Sequence, residues 1–512
     1  MSKYETWTRS QLIARLSELD VPEQSEEPQS KPGFDVSSKP RRKIALKFCY
    51  HGWEYSGLEF QKGHTHMPTV EAVLEAALVA TRLIDPEGGL DGAGFSKSGR
   101  TDRGVSAAGQ VVSLWVRSMV AGDGENNARK KEMEEVSLAL EDEDALAEAG
   151  PSELPRAEAF AETEPPPEDD PVSLFESTQH LLPTSSEIPY GRVLNRVLPS
   201  SIRILSWSPV TSTFDARFSC VGRHYKYFFR LHAGLDLARM REAAARLLGT
   251  HDWRNFCKLD GSKGDIKYVR TVEEVSIDRV EEDTSGFPPG HTSEARLIDP
   301  TLYVLNVRGH GFLWHQIRHI AAVLFLVGQG LEEPTVVSSL LNADPANSLP
   351  PFRAGEQPPE VVESKPVYDI ADALPLVLWD SRYREGDLNW QPDEPWQASI
   401  FRTQLENAYT TSLIHTTLLS YFARAAELRP QSVDKPAPPS LGKAPVVLDM
   451  GGGTFLVNRR YKPLMKRERG GTPDEVVRRW REGAGGRRAE KRAALTGMNG
   501  TDAETETVQA DE

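Results

Sequence analysis

The 512-residue chain is 39% hydrophobic, enough for two or three domains' worth of core, but its 36 prolines and 26% charged residues imply sizeable stretches without a core. The formal net charge of −15 argues at first against a nucleic-acid partner, yet residues 121–190 hold 19 acids and only 4 bases, so the rest is balanced and free to present basic surfaces. Three widely spaced cysteines give neither a disulfide framework nor a CxxC zinc pair, and no signal-peptide core or apolar run of roughly 18 residues occurs, which argues against secreted disulfide scaffolds and membrane spans.

Residues 1–42 read as a polar tail with one short helical stretch, Arg9–Leu19. KIALKFCY (43–50) alternates like a strand, and Thr69 is placed to cap a helix from Val70 to about Ile84. QVVSLWV (110–116) reads as the strand that closes a first half, residues 43–117. Residues 118–188 are acidic and Ala/Glu/Pro-rich, the composition of a disordered insertion. A second half, 189–344, offers strands at 202–207, 225–231, 269–277 and 302–307, a helix at 235–248, and a strongly apolar helix at about 313–327. A Pro/Glu linker (345–366) leads to folded character at 367–430 with a helix at 401–427. The Pro/Gly/Arg-rich tail, 431–512, is expected to be largely disordered. The order of elements predicts an α/β (α+β) fold with two halves on a mostly antiparallel sheet.

Four stretches carry chemistry. SGRTDRGVSAAGQVV (98–112) places Asp102 between Arg100 and Arg103 in a loop before a strand, either a charged turn or a site that keeps a carboxylate ionised. FLWHQIRHIAAVLFLVG (312–328) is apolar almost all round, so Arg318 needs a carboxylate from elsewhere in the fold unless it reaches the helix edge; Asp102 is a candidate. His315 and His319 have the spacing of a zinc helix, but Gln316 stands where an HExxH motif has its base, so packing is the better reading. FDARFSCVGRHYKYFFR (214–230) interleaves Arg217, Arg223, His224 and Lys226 with aromatics, a pattern suited to phosphates and stacked bases. VLDMGGGTFLVN (447–458) has the look of an ATPase phosphate loop without its partner motifs, and a glycine turn before a strand explains it better.

Together these stretches resemble the TruA family of tRNA pseudouridine synthases. GRTDRGVSA (99–107) with Gln110 and Val111 looks like the family's catalytic motif, and YHGWEYSGLEFQ (50–61), FDARFSCVGRHYKY (214–227), GTHDWRNFCK (249–258) and GHGFLWHQIRHIAAVLFLVG (309–328) follow in the family's order. The resemblance covers roughly residues 43–117 and 190–380, and GTHDWRNFCK with PLVLWD (375–380) is most similar to the eukaryotic branch that modifies tRNA positions 38 and 39; a branch of broader specificity is the alternative. It implies two RRM-like halves in a pseudosymmetric sheet, with helices on the outer face and the aspartate at the floor of a central cleft. It implies an isomerase in which Asp102 is catalytic, Arg318 pairs with it, and Tyr225 stacks on the target base and helps remove its C5 proton. Arg100 would open the stem, with Arg103, Arg217, Arg223, His224 and Lys226 as further RNA contacts. The implied partners are the tRNA anticodon arm and a second copy of the chain; no metal, cofactor or membrane is expected, and the setting is cytoplasmic or nuclear. A tRNA-binding module without catalysis would use the same basic and aromatic surfaces but would not need Asp102 beside Arg318.

Overall fold

The computed structural model describes residues 39–61, 65–119, 187–264, 266–280, 301–391, 395–425, 446–458, 460–483 and 486–488. Arg9–Leu19 and nearly all of the acidic insertion lie outside them. The strands are β1 (Arg41–Tyr50), β2 (Ser96–Lys97), β3 (Ser106–Arg117), β4 (Ile202–Pro209), β5 (Gly222–Arg230), β6 (Gly249–Asp252), β7 (Val269–Arg279), β8 (Leu302–Gly309) and β9 (Leu376–Arg382). They form one nine-stranded sheet in the order β4-β1-β3-β9-β5-β8-β7-β6, with short β2 also paired to β3. Pairing is antiparallel except where the start of β3 runs parallel to β9, Ser106 opposite Val377 and Ala107 opposite Leu378. This junction brings the Asp102 loop to the middle of the sheet, because that loop feeds directly into β3.

The period-two pattern of the strands decides which face carries the main core. Ile44, Leu46, Phe48 and Tyr50 of β1 turn toward helices α1 (Val70–Ala80), α3 (Tyr190–Asn195), α4 (Leu237–Ala245), α5 (Gln316–Gly328) and α6 (Val336–Leu341), all of which contribute to one buried cluster. Ala45, on the opposite parity, joins Val111, Phe214 and Ala216 in a small second cluster on the other face. A four-residue helix, α2 (Gly89–Gly92), precedes β2. The Thr69 hydroxyl caps α1 by accepting from the Ala72 N–H, a contact of the kind that contributes about 1 kcal/mol. The helix stops at Ala80 rather than near Ile84 because Arg82 adopts a left-handed backbone, after which Leu83 and Ile84 still turn into the core.

In α5, every residue but Arg318 is buried, and Phe325 packs edge-on against Tyr227 and Phe229 of β5. Full burial of such side chains stabilises by roughly 1.5–3 kcal/mol each. The helix therefore lies rigidly across the second half, and its N-terminal turn is held over the centre of the sheet.

Two expectations for the C-terminal part are corrected. Residues 345–366 do not run free as a linker: Val362 is buried, and its carbonyl and that of Leu340 accept from the buried Asn255 amide. The region after residue 431 is not simply a disordered tail, since it forms the hairpin β10 (Val446–Asp449) and β11 (Phe455–Asn458), followed by helix α8 (Pro473–Glu482). Gly451, Gly452 and Gly453 all have positive φ, so the glycine run makes the hairpin turn, as its blander reading held. Composition concealed this order because the segment is anchored by distant partners. Gln329, just past α5, donates to the Val447 carbonyl and accepts from the Asp449 N–H, while the buried Glu332 carboxylate accepts from the Tyr461 hydroxyl and the Leu464 N–H. The long helix α7 (Pro395–Ala425) precedes this segment.

Candidate active site

Asp102 sits in the loop between β2 and β3, and neighbouring groups fix that loop from several sides. The fully buried Gln110 donates to the Gly99 carbonyl and accepts from the Ser98 hydroxyl. Leu58 N–H donates to the Thr101 carbonyl, and the Thr101 hydroxyl meets Tyr50 Oη at 2.6 Å. The Asp102 carbonyl accepts from Val105 N–H, closing a turn that points the carboxylate into an open cleft of about 710 Å³. The motif GRTDRGVSA with its following glutamine is thus a self-latched loop: its polar residues occupy one another and leave Asp102 to the cleft.

Three groups from the start of α5 hold the carboxylate. Trp314 Nε1 donates to Oδ1 at 3.2 Å, His315 Nε2 lies 3.3 Å from Oδ2, and Arg318 Nη1 lies 4.0 Å from Oδ2. Burial pushes the Asp102 carboxyl up, but hydrogen bonding and attraction from His315, the Arg318 charge and the Trp314 N–H together outweigh it and leave the group below its ordinary value. Arg318 is steadied by donating Nε–H to the Ala371 carbonyl at 2.8 Å, while Ala371 N–H returns a bond to the Arg318 carbonyl. The distant carboxylate that Arg318 was expected to need is Asp102, at the outer limit of ion-pair distance.

Sequence reasoning did not identify Trp314 and His315 as the nearer partners. His315 is the residue preceding α5 and has φ +64°, a left-handed conformation rare for a non-glycine residue. That turn separates its ring from His319, which points instead to Lys365 and stacks edge-on against Tyr368. The i, i+4 histidines therefore do not converge, and among the described residues no cluster of metal-ligating side chains is found.

Tyr225 is buried in the cleft wall, edge-on to Phe312 at 5.2 Å. Burial first, and the nearby Asp102 charge second among the raising effects, push its hydroxyl to about 12 against the opposing pull of Arg223, so it is protonated at neutral pH. Arg100 lies on the rim, more than half exposed and paired with Glu59 at 2.9 Å. Arg103 and Arg217 are exposed and line the cleft. Arg223 also lines it, but its guanidinium is committed to the carbonyls of Ser98, His310 and Arg217, so it clamps the Asp102 loop to the β8 end. His224 and Lys226 are not brought to this site. Their parity on β5 places them on the opposite sheet face from Tyr225, where His224 meets Asn306 and Lys226 lies over the Trp379 ring.

The cleft is basic although the chain is acidic. Its described lining residues include nine lysines and arginines against three acids, and Lys258, Lys263 and Arg270 contribute to its wall. Trp314 bridges the two features, since its indole N–H touches Asp102 while Lys258 Nζ sits 4.0 Å above its ring.

The site is thus a carboxylate held ionised in a cationic, aromatic-walled cleft on a mixed α+β sheet. A family model described as tRNA pseudouridine synthase matches residues 243–384, which include β5's partner strands, α5 and β9. The chain is 35% identical to the human tRNA pseudouridine(38/39) synthase over 76% of its own length and 65% of the relative's, and 33% identical to its bovine counterpart over the same shares. It is 34% identical to the tRNA pseudouridine(38/39) synthase of Saccharomyces cerevisiae, over 79% of this chain and 77% of that one. The chain thus spans about two thirds of the length of the mammalian relatives and more of the yeast one. It belongs to the TruA family of tRNA pseudouridine synthases.

Proposed function

We propose that this protein isomerises uridine to pseudouridine in the anticodon stem-loop of tRNA, at positions 38 and 39. The observation that carries this reading is the Asp102 carboxylate, held anionic at the cleft floor by Trp314, His315 and Arg318 beside the buried Tyr225. In the reaction the N1–C1′ bond breaks, the uracil turns, C5–C1′ forms, C5 loses a proton and N1 gains one, so atoms balance and no electrons are exchanged. Asp102 supplies the anionic group beside the sugar and base, and the family resemblance assigns it the catalytic role. Tyr225 begins the cycle protonated. Once the Asp102 charge that raises it is consumed by bond formation or proton uptake, its hydroxyl ionises more readily, and it takes up the C5 proton only after handing on its own.

A uridine in a stem or stem-loop reaches the floor only by leaving its stack, at a cost of a few kcal/mol. Arg100, on the rim and tied to Glu59 by an exposed pair, is placed to exchange that carboxylate for the RNA and fill the vacated space. Arg103 and Arg217 supply phosphate contacts along the cleft. In this reading the sheet comprises two RRM-like halves, β4-β1-β3 and β9-β5-β8-β7-β6, meeting at the parallel β3–β9 pair. The protein acts as a homodimer; support comes from the exposed Leu405, Tyr409 and Leu413 on α7, which share one side at helical spacing. A tRNA substrate and the short basic runs 39–43 and 487–492 favour a cytoplasmic or nuclear setting.

Incubation with unmodified tRNA followed by pseudouridine mapping tests the proposal. Product at 38 and 39 is expected, and Asp102→Asn should bind tRNA and make none. Product confined to other positions would move the chain to the broader branch, and an active Asp102→Asn variant would remove Asp102 from the mechanism.

A further inference from the structure

Residues 460–482 carry eight bases against four acids, and the reaction uses none of them. Their anchors lead from the far end of α5 toward the cleft. Glu332 holds Tyr461 and Leu464, residues 366 and 469 form a strand bridge, and Gly470 N–H donates to the Lys365 carbonyl. The segment ends in α8, whose start is fixed by a complete capping box between Thr472 and Glu475.

α8 packs against the loop that carries Gly261 and Gly264. A Cβ at Gly261 would fall 2.7 Å from Trp480 Cβ and 2.8 Å from the Val476 carbonyl, so helix and loop touch backbone to side chain, and only glycine permits that approach. The Arg481 guanidinium sits beside Gly264. Asp260 and Lys263, from the same loop, line the cleft. α8 carries three acids and three arginines: Asp474 and Glu475 lie in its first turn, as the helix dipole favours, Arg478, Arg479 and Arg481 lie in its later turns, and Glu482 ends it beside Arg481. Arg479 pairs with Glu475; Arg478 and Arg481 are exposed and have no ion-pair partner among the described residues.

We propose that α8 extends the basic wall of the cleft and binds the phosphate backbone of the tRNA through Arg478 and Arg481, in register with Lys263 and Arg270 of the wall itself. The proposal rests on the reading of the cleft as a tRNA site. Ten helical residues span about 15 Å, enough to follow two or three phosphates beyond the cleft mouth. Such contacts fix the register of the RNA and carry no sequence information.

The test measures tRNA binding by the full chain across a salt series, together with KM and kcat. Arg478→Gln/Arg481→Gln should weaken Kd and raise KM by about tenfold near physiological salt, make the slope of log K against log salt shallower by roughly 1.5, and leave kcat unchanged. Gly261→Val keeps every charge but pushes α8 off the wall, and should weaken binding in the same direction. The pair Arg196→Gln/Arg279→Gln, exposed and outside the cleft lining, measures the effect of losing two charges anywhere. Binding by either α8 variant within twofold of wild type, or an equal loss in the control pair, overturns the proposal. A wild type that binds tRNA but makes no pseudouridine would overturn the synthase reading instead, because this test reads binding directly.

Discussion

Replacing His315 with asparagine tests how the structure keeps Asp102 ionised. Asparagine tolerates the left-handed backbone at this position, so the substitution removes the ring Nε2 without adding strain. Oδ2 of Asp102 then keeps only the Arg318 charge, 4.0 Å away. Hydrogen bonds to charged groups contribute about 1.5–3 kcal/mol. The 3.3 Å separation is slightly longer than the usual range, and Asp102 is 28% exposed, so the low end, about 1.5 kcal/mol, applies. Spent on the population and aim of the carboxylate, this is roughly a tenfold loss in kcat/KM. The sign with pH follows: losing a partner of the anion raises the carboxyl, so the acid limb of the kcat/KM profile moves to higher pH. The assay is pseudouridine formation on tRNA from acid to neutral pH, beside thermal unfolding. His315→Ala should lose the same activity and be less stable than the asparagine variant by about 1 kcal/mol, because alanine carries its Cβ at φ +64° without the local hydrogen bonding that eases asparagine there. An asparagine variant with wild-type kcat/KM and an unmoved acid limb would show that His315 does not hold the catalytic carboxylate.

Tyr225→Phe keeps the ring against Phe312 and removes only the hydroxyl, so tRNA affinity should hold while product formation falls about a hundredfold or more; activity within threefold of wild type would leave the ring's stacking as its whole role. Burial, with Lys365, His315 and Arg318 adding to it, pushes the His319 imidazole down to about 2, so the native state holds it neutral while the unfolded chain protonates it near 6.5. Its contribution to stability is therefore complete above pH 6.5 and is lost on acidification, by up to about 1.4 kcal/mol per pH unit, until the native group itself titrates. Urea unfolding of His319→Phe between pH 7 and 5 should show a flatter fall than wild type, and an identical fall would assign the acid sensitivity elsewhere.

Much of the site was legible in the chain because its signals are local or periodic. The polar residues of SGRTDRGVSAAGQ latch one another, so the loop that presents Asp102 is encoded almost within itself. An arginine in an otherwise apolar helix announced that a carboxylate had to come from elsewhere, and the aromatic alternation of β5 announced a buried face bearing Tyr225. The same alternation already separated His224 and Lys226 from Tyr225, and composition alone had grouped them. What the sequence could not decide depends on contacts between distant segments. The left-handed turn at His315 aims its ring and that of Trp314 at Asp102, 212 residues away in the chain for the indole bond, and no helical period predicts a residue that precedes the helix in a non-helical conformation. The C-terminal segment read as a disordered tail because its own composition buries little; it is ordered by Gln329, Glu332 and the bare backbone of Gly261, and those partners become neighbours only when the sheet and α5 have brought them together.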